Sequence, residues 1–219
     1  LSYPSDKSPE SIKQSGNRNN IEENPFNVDR RWKFCAQCVE QQQTQYGIAY
    51  WKSSHQLPGA RNCETHKTEL QSHDDLRYLN FTLPHHWLKT SKSLLCKDEW
   101  QYQWQPFIFN LSRAITLSPA IVPKLQQEIL DYLEIGQPIK RRDKSQFDLL
   151  FNQMRQDIGE ACLAGLFTAY ARELKRSPNI LWITLAPFSQ SKGLRHPLYW
   201  LSILFWLRKQ LPSLKELAC

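Results

Sequence analysis

A chain of 219 residues with 41% hydrophobic and 22% charged residues can bury a core, as one large domain or two small ones. Mean hydropathy is −0.58 and the longest apolar run is Pro197–Leu207, which excludes a bilayer-spanning helix of about 20 apolar residues. The net charge of +7 favours an anionic partner, and it is uneven: −1 over residues 1–28, +2 over 29–112 and +6 over 113–219.

The chain begins at Leu1 rather than Met, which reads as an internal piece or a processed chain. Residues 1–28 are rich in Ser, Asn, Pro and Glu without an apolar period, so they read as a flexible polar lead, with order starting near Arg31.

Residues 29–72 carry the strongest signal. Cys35-Ala-Gln-Cys38 and Cys63-Glu-Thr-His66 are two ligand pairs separated by 24 residues. Two residues within a pair let one backbone turn aim both ligands at a single tetrahedral ion. Three thiolates and an imidazole fill the tetrahedron, so the expected cofactor is one structural Zn2+ held by Cys35, Cys38, Cys63 and His66. Between the pairs, Tyr46, Ile48 and Tyr50 alternate as a short strand facing a core would. Pro58-Gly59 predicts a turn and Leu70 closes the small core. His55 is an alternative ligand between the pairs, but it reads better as an outer or surface histidine that orients the turn.

Residues 73–118 read as a connecting region of short helices and loops. His85-His86 lacks a nearby carboxylate at metal spacing and reads as structural or exposed. Residues 119–219 read as a helical domain. Ser118-Pro119 and Pro123 mark a helix start, and Leu125, Ile129, Leu130 and Leu133 form a stripe ending at Gly136. Ser145-Gln-Phe-Asp148 predicts a capping box for a helix carrying Phe147, Leu150, Phe151 and Met154, which breaks at Gly159. A second helix would line up Leu163, Leu166, Phe167, Tyr170 and Leu174.

This pair is compatible with a helix-turn-helix, with Thr168, Arg172, Lys175 and Arg176 opposite the apolar stripe as groove contacts. An ordinary solvated face is the competing reading. Lys140-Arg141-Arg142 lies in a polar turn, and Lys192 and Arg195 precede the helix opened by Pro197. Each could contact phosphate, with a solvated charge run as the equal alternative. Cys96, Cys162 and Cys219 are scattered and read as free thiols in a reducing compartment. Motifs for acyl-transfer nucleophiles, phosphate-cradling loops, H-E-x-x-H sites and deaminases do not occur in the sequence, and no catalytic residue is expected.

Arg31-Trp-Lys-Phe-Cys-Ala-Gln-Cys38, Tyr46-Gly-Ile-Ala-Tyr-Trp51, His55-Gln-Leu-Pro-Gly59 and Cys63-Glu-Thr-His66 together resemble the zinc-finger region of the TniQ/TnsD transposition proteins. Tyr132-Leu-Glu-Ile-Gly136, the helices around Gly159 and His196-Pro-Leu-Tyr-Trp-Leu201 look like the helical region of TnsD-type members. Ala36 and Glu64 stand where that family usually has Pro, and residues 1–28 do not look like its opening apolar and proline-rich segment.

The resemblance implies a mainly α protein in which a small zinc-finger module with short strands precedes an all-helical domain. It implies a non-catalytic, bacterial, cytoplasmic and nucleoid-associated factor that selects transposition targets. Its partners would be an AAA+ ATPase regulator and target DNA or an RNA-guided CRISPR complex, with no membrane, and with room for a homo-oligomer. A zinc-containing helix-turn-helix transcription regulator is the alternative, and a divergent metal-dependent nuclease is a third class.

Overall fold

The computed structural model describes residues 26, 28, 29, 31–73, 82–95, 97–136, 139, 140, 143–171, 179–186 and 197–215. The described residues are mainly α-helical, with one small sheet near the N-terminus. Strands β1 (Lys33–Phe34), β2 (Gln71–Ser72) and β3 (Lys92–Ser93) pair antiparallel in the order β1-β2-β3, with Phe34 opposite Gln71 and Ser72 opposite Lys92. Helix α1 (Ala36–Tyr46) leaves β1 directly and ends at Gly47, whose left-handed backbone lets its N–H reach Gln43 O at 2.9 Å. Phe34, Val39, Ala49 and Trp87 form a small core here, with Trp32 and Trp51 packed against it.

Helix α2 (Glu99–Leu117) connects this module to the other helices. At its start, Gln101 Oε1 accepts the backbone N–H groups of Lys97 and Asp98, at 2.7 and 3.2 Å. Its buried Trp104, Ile108 and Leu111 recur at helical spacing on one face. Trp104 lies edge-on to Phe205 at 5.0 Å and donates its indole N–H to Pro58 O at 2.9 Å. The predicted Pro58-Gly59 turn is thereby bolted to the helical core. A single cluster of buried residues contains Cys35, Cys38, Cys63 and Leu70 together with Trp104, Phe147 and Phe205.

The remaining described helices are α3 (Ile121–Tyr132), α4 (Lys144–Ile158), α5 (Glu160–Leu166), α6 (Ile180–Leu185), α7 (Pro197–Trp206) and α8 (Pro212–Lys215). In α3, Leu125 and Ile129 face inward, and Leu133 follows them as the cap. In α4, Phe147, Phe151 and Met154 are buried, as the periodicity predicts. Helix α7 begins at Pro197 and buries residues around nearly its whole circumference. No described helix is long and apolar enough to cross a membrane.

Several expectations are corrected. Tyr46, Ile48 and Tyr50 do not form a strand: Tyr46 ends α1, and the three side chains are 57%, 48% and 50% exposed. The alternation belongs to a helix end followed by an extended loop, in which only Ala49 turns inward. The aromatic stretch Trp100–Trp104 lies in one 19-residue helix, not in short ones; Pro106 lies inside it and mimics a breaker in the sequence.

The left-handed residue after α3 is Glu134, two positions before Gly136. Ser145 does not cap α4, because the helix starts one residue earlier behind Asp143. Asp148 instead accepts a 2.9 Å hydrogen bond from Asn179 Nδ2, and Asn179 Oδ1 caps α6 by accepting Trp182 N–H.

The second helix of the pair stops at Leu166. Phe167 is extended, with φ −117° and ψ 109°, and a turn follows. Phe26 causes part of this break. It is fully buried, its carbonyl accepts Ala169 N–H at 2.8 Å, and its ring packs on Phe167, Tyr170 and Tyr199. Phe26 and Val28 therefore belong to the core and not to a polar lead.

Candidate metal centre

The two ligand pairs arrive from different local structures. Cys35 has an extended backbone at the mouth of α1 and Cys38 lies in the first turn, where Val39 N–H bonds Cys35 O at 3.0 Å. Cys63 and His66 occupy a knuckle closed by Cys63 N–H on Thr68 O at 2.7 Å and by Lys67 N–H on Cys63 O at 2.9 Å. Lys67 takes a left-handed backbone, φ 57°, to complete the turn. Gln105 Oε1 of α2 accepts the N–H groups of Arg61 and Asn62, at 2.7 and 2.8 Å, and so fixes the knuckle against the helix.

The four donor atoms converge. Cys38 Sγ lies 3.6 Å from Cys63 Sγ, and His66 Nδ1 lies 3.5, 3.3 and 3.7 Å from the sulfurs of Cys35, Cys38 and Cys63. All four lie within 4.8 Å of one another, and the three cysteines are buried. Zinc bonds of about 2.3 Å to sulfur and 2.0 Å to nitrogen give tetrahedral edges of about 3.5–3.8 Å. The four separations above, 3.3–3.7 Å, lie close to those edges, and the sulfur–sulfur distance of 3.6 Å far exceeds a disulfide bond of about 2.05 Å. The residues therefore fit a zinc ion, and the set is compatible with a zinc site.

The electrostatics agree with this donor chemistry. Burial, then the Cys63 and Cys35 thiols, push Cys38 up to about 12, against the opposing charge of Lys52. Burial also raises Cys35, but hydrogen bonds from Thr68, the Cys38 N–H, Cys63 and the Gln37 N–H outweigh it and hold that thiol below its ordinary value. Three thiols this close ionise together only beside a compensating cation, which a divalent metal would supply.

His55 is buried, and burial followed by Lys52, Lys33 and His66 brings it down to about 4, so its imidazole is neutral. Its Nε2 stands 3.8 Å from Cys38 Sγ, outside the four-donor set, as the sequence reading anticipates. Sequence reasoning missed Lys52, whose Nζ lies 3.5 Å from Cys38 Sγ, and Thr68, whose Oγ1 lies 3.4 Å from Cys35 Sγ. Neither stands at a recognisable ligand spacing. His85 and His86 sit in a 3-10 turn away from the cluster, where His86 Nδ1 accepts Leu83 N–H.

The candidate nucleic-acid residues are a different matter. Lys140 is exposed, and its backbone N–H bonds Asp143 Oδ2 at 2.7 Å. Arg141, Arg142, Arg172, Lys175, Arg176, Lys192 and Arg195 lie outside the described residues, as do Cys96 and Cys219. Cys162 is a buried free thiol.

Fold and site define a mainly helical protein built onto a Cys3His module. Residues 6–70 match the TniQ family model, a span that includes all four ligand positions and is consistent with the TniQ/TnsD family. TniQ domains are associated with target selection in transposition. The match starts at residue 6, so most of the segment 1–28 lies inside the family region, contrary to the sequence reading. Comparison with curated proteins and with solved structures finds no match.

Proposed function

We propose that the chain is a non-catalytic adaptor for target-site selection in DNA transposition, linking target DNA or an RNA-guided CRISPR complex to an AAA+ transposition regulator. The observation that carries this reading is the TniQ match laid over a closed Cys3His set. Four protein donors leave zinc no open position for substrate or activated water, so the metal would fold a platform rather than perform chemistry.

The module's surface supports a protein-docking role. Tyr46, Ile48 and Tyr50 are exposed side by side, with the two tyrosine rings 6.3 Å apart, and Glu40 is the single charged residue from Phe34 to Trp51. Tyrosine-rich, charge-poor surfaces suit protein contacts better than phosphate backbones. DNA contacts would fall to the basic half: Lys140, Arg141, Arg142, Arg172, Lys175, Arg176, Lys192 and Arg195 are the proposed phosphate contacts. The alternative is a zinc-containing helix-turn-helix transcription regulator; α5 ends at Leu166 and helix resumes at Tyr170, next to the candidate contacts at 172–176, which lie outside the described residues.

Pull-down of the purified chain with the ATPase and guide-complex subunits of its own transposition system tests the adaptor role. Capture that is lost on Tyr46→Ala/Tyr50→Ala, with unchanged circular dichroism, is the expected result. No capture of any such component, together with tight binding to one specific duplex, would favour a stand-alone DNA-binding regulator.

A further inference from the structure

Metal sites of three thiolates and one imidazole carry a residual charge of −1 once a divalent ion is bound. In a buried setting that charge needs a partner. Here the insert between the ligand pairs supplies one. Lys52 precedes a 3-10 turn, Ser53–Gln56, and its Nζ lies 3.5 Å from Cys38 Sγ. His55, in the same turn, reaches the same sulfur with Nε2 at 3.8 Å. A thiolate only accepts hydrogen bonds, so the imidazole tautomer that fits carries its proton on Nε2.

The same turn is held from its other side by β1. Gln56 Nε2 donates to Lys33 O at 2.6 Å, its Oε1 accepts Lys33 N–H at 3.1 Å, and Lys33 Nζ donates to Leu57 O at 2.7 Å. Cys35 is met by the Thr68 hydroxyl and the Cys38 and Gln37 backbone N–H groups, and Cys63 by the His66 backbone N–H, none of which carries charge.

We propose that Lys52 and His55 are positioning residues that grip the Cys38 thiolate from outside, with Lys52 neutralising the residual charge of the loaded site, so that metal retention and the seating of the 52–57 turn are one coupled event. This rests on the zinc reading of the four ligands. Among the described residues Cys38 is the ligand sulfur with a charged outer partner at hydrogen-bond distance, and a thiolate paired with a cation is a poorer nucleophile. Partners in this outer position typically change metal affinity by about 10–100-fold when removed.

The test uses the full chain loaded with zinc, in wild-type form and as Lys52→Met, Lys52→Arg and His55→Phe. Zinc content is measured first, then the rate of zinc release to a chromogenic chelator, with circular dichroism as the folding control. Wild type and all three variants should bind one equivalent. Lys52→Met and His55→Phe should release zinc about tenfold faster or more, with Lys52→Arg within about threefold of wild type. Mass-spectrometric mapping of a slow alkylating agent should find Cys38 modified last in wild type and first in Lys52→Met. Release from Lys52→Met within twofold of wild type overturns the proposal even if every chain binds zinc. A wild-type chain that binds no zinc overturns the underlying zinc assignment instead, so the two failures are distinguishable.

Discussion

Replacing Gly59 by Ala tests the joint between the metal module and the helices. Gly59 has φ +72°, and a Cβ there would stand 2.5 Å from Trp104 Nε1 and 3.1 Å from Leu166 Cδ2. The left-handed backbone alone costs an L-residue about 1–2 kcal/mol. Trp104 is fully buried and cannot yield without breaking its hydrogen bond to Pro58 O, so overpacking adds about 1–3 kcal/mol.

Gly47 is the internal control. Its φ is also +72°, but a Cβ there meets nothing within 4 Å, so Gly47→Ala should cost only the backbone share. The expected gap between the variants is about 2 kcal/mol, or roughly 1 M in urea midpoint for an m-value near 2 kcal/mol/M. Urea unfolding of zinc-loaded protein, followed by tryptophan fluorescence and circular dichroism, measures it. Equal losses for the two variants, within about 0.5 kcal/mol, would refute the claim that Trp104 is locked against the turn.

Phe26→Ala should cost about 3–5 kcal/mol, because it empties a site enclosed by Phe167, Tyr170 and Tyr199. A fall in Tm on the order of 10 °C is expected, and a fall under about 3 °C would return Phe26 to a peripheral role. Lys33 gives a pH prediction. It is buried, and burial, offset by Asp29 and reinforced by Arg61 and Arg31, lowers it from 10.5 to about 8. The folded state therefore binds this proton more weakly than the unfolded chain. Its contribution to stability is present in full above 10.5 and is lost as pH falls through 8, on the order of 3 kcal/mol in all. Unfolding free energy should rise between pH 8 and 10, and Lys33→Met should flatten that rise; an unchanged slope in the variant would remove Lys33 as its source.

The convergence of Cys35, Cys38, Cys63 and His66 was readable because metal chemistry imposes spacing on the chain, and the four do lie close together, compatible with a zinc site. Helical stripes were equally readable where one face alone is buried, as at Leu125 and Ile129 or at Phe147, Phe151 and Met154. Reading failed where tertiary contacts override the local pattern. Nothing near Phe26 shows that its carbonyl and ring break the helix at Phe167. The alternation of Tyr46, Ile48 and Tyr50 has the period of a strand, yet among the described residues no strand pairs with the segment, and those side chains face outward. Asp148 has the spacing of a capping residue but is used by Asn179, 31 positions later. Lys52 and Thr68 escaped notice because outer partners of a metal are chosen by reach, not by spacing.

The metal content of the purified chain is the most direct test of the zinc assignment. Elemental analysis should give one equivalent of zinc per chain, with Cys35→Ser losing the metal and the fold of residues 29–72, since binding and folding are coupled in such modules. Under about half an equivalent of zinc in the wild type, with no loss of structure in Cys35→Ser, would contradict it.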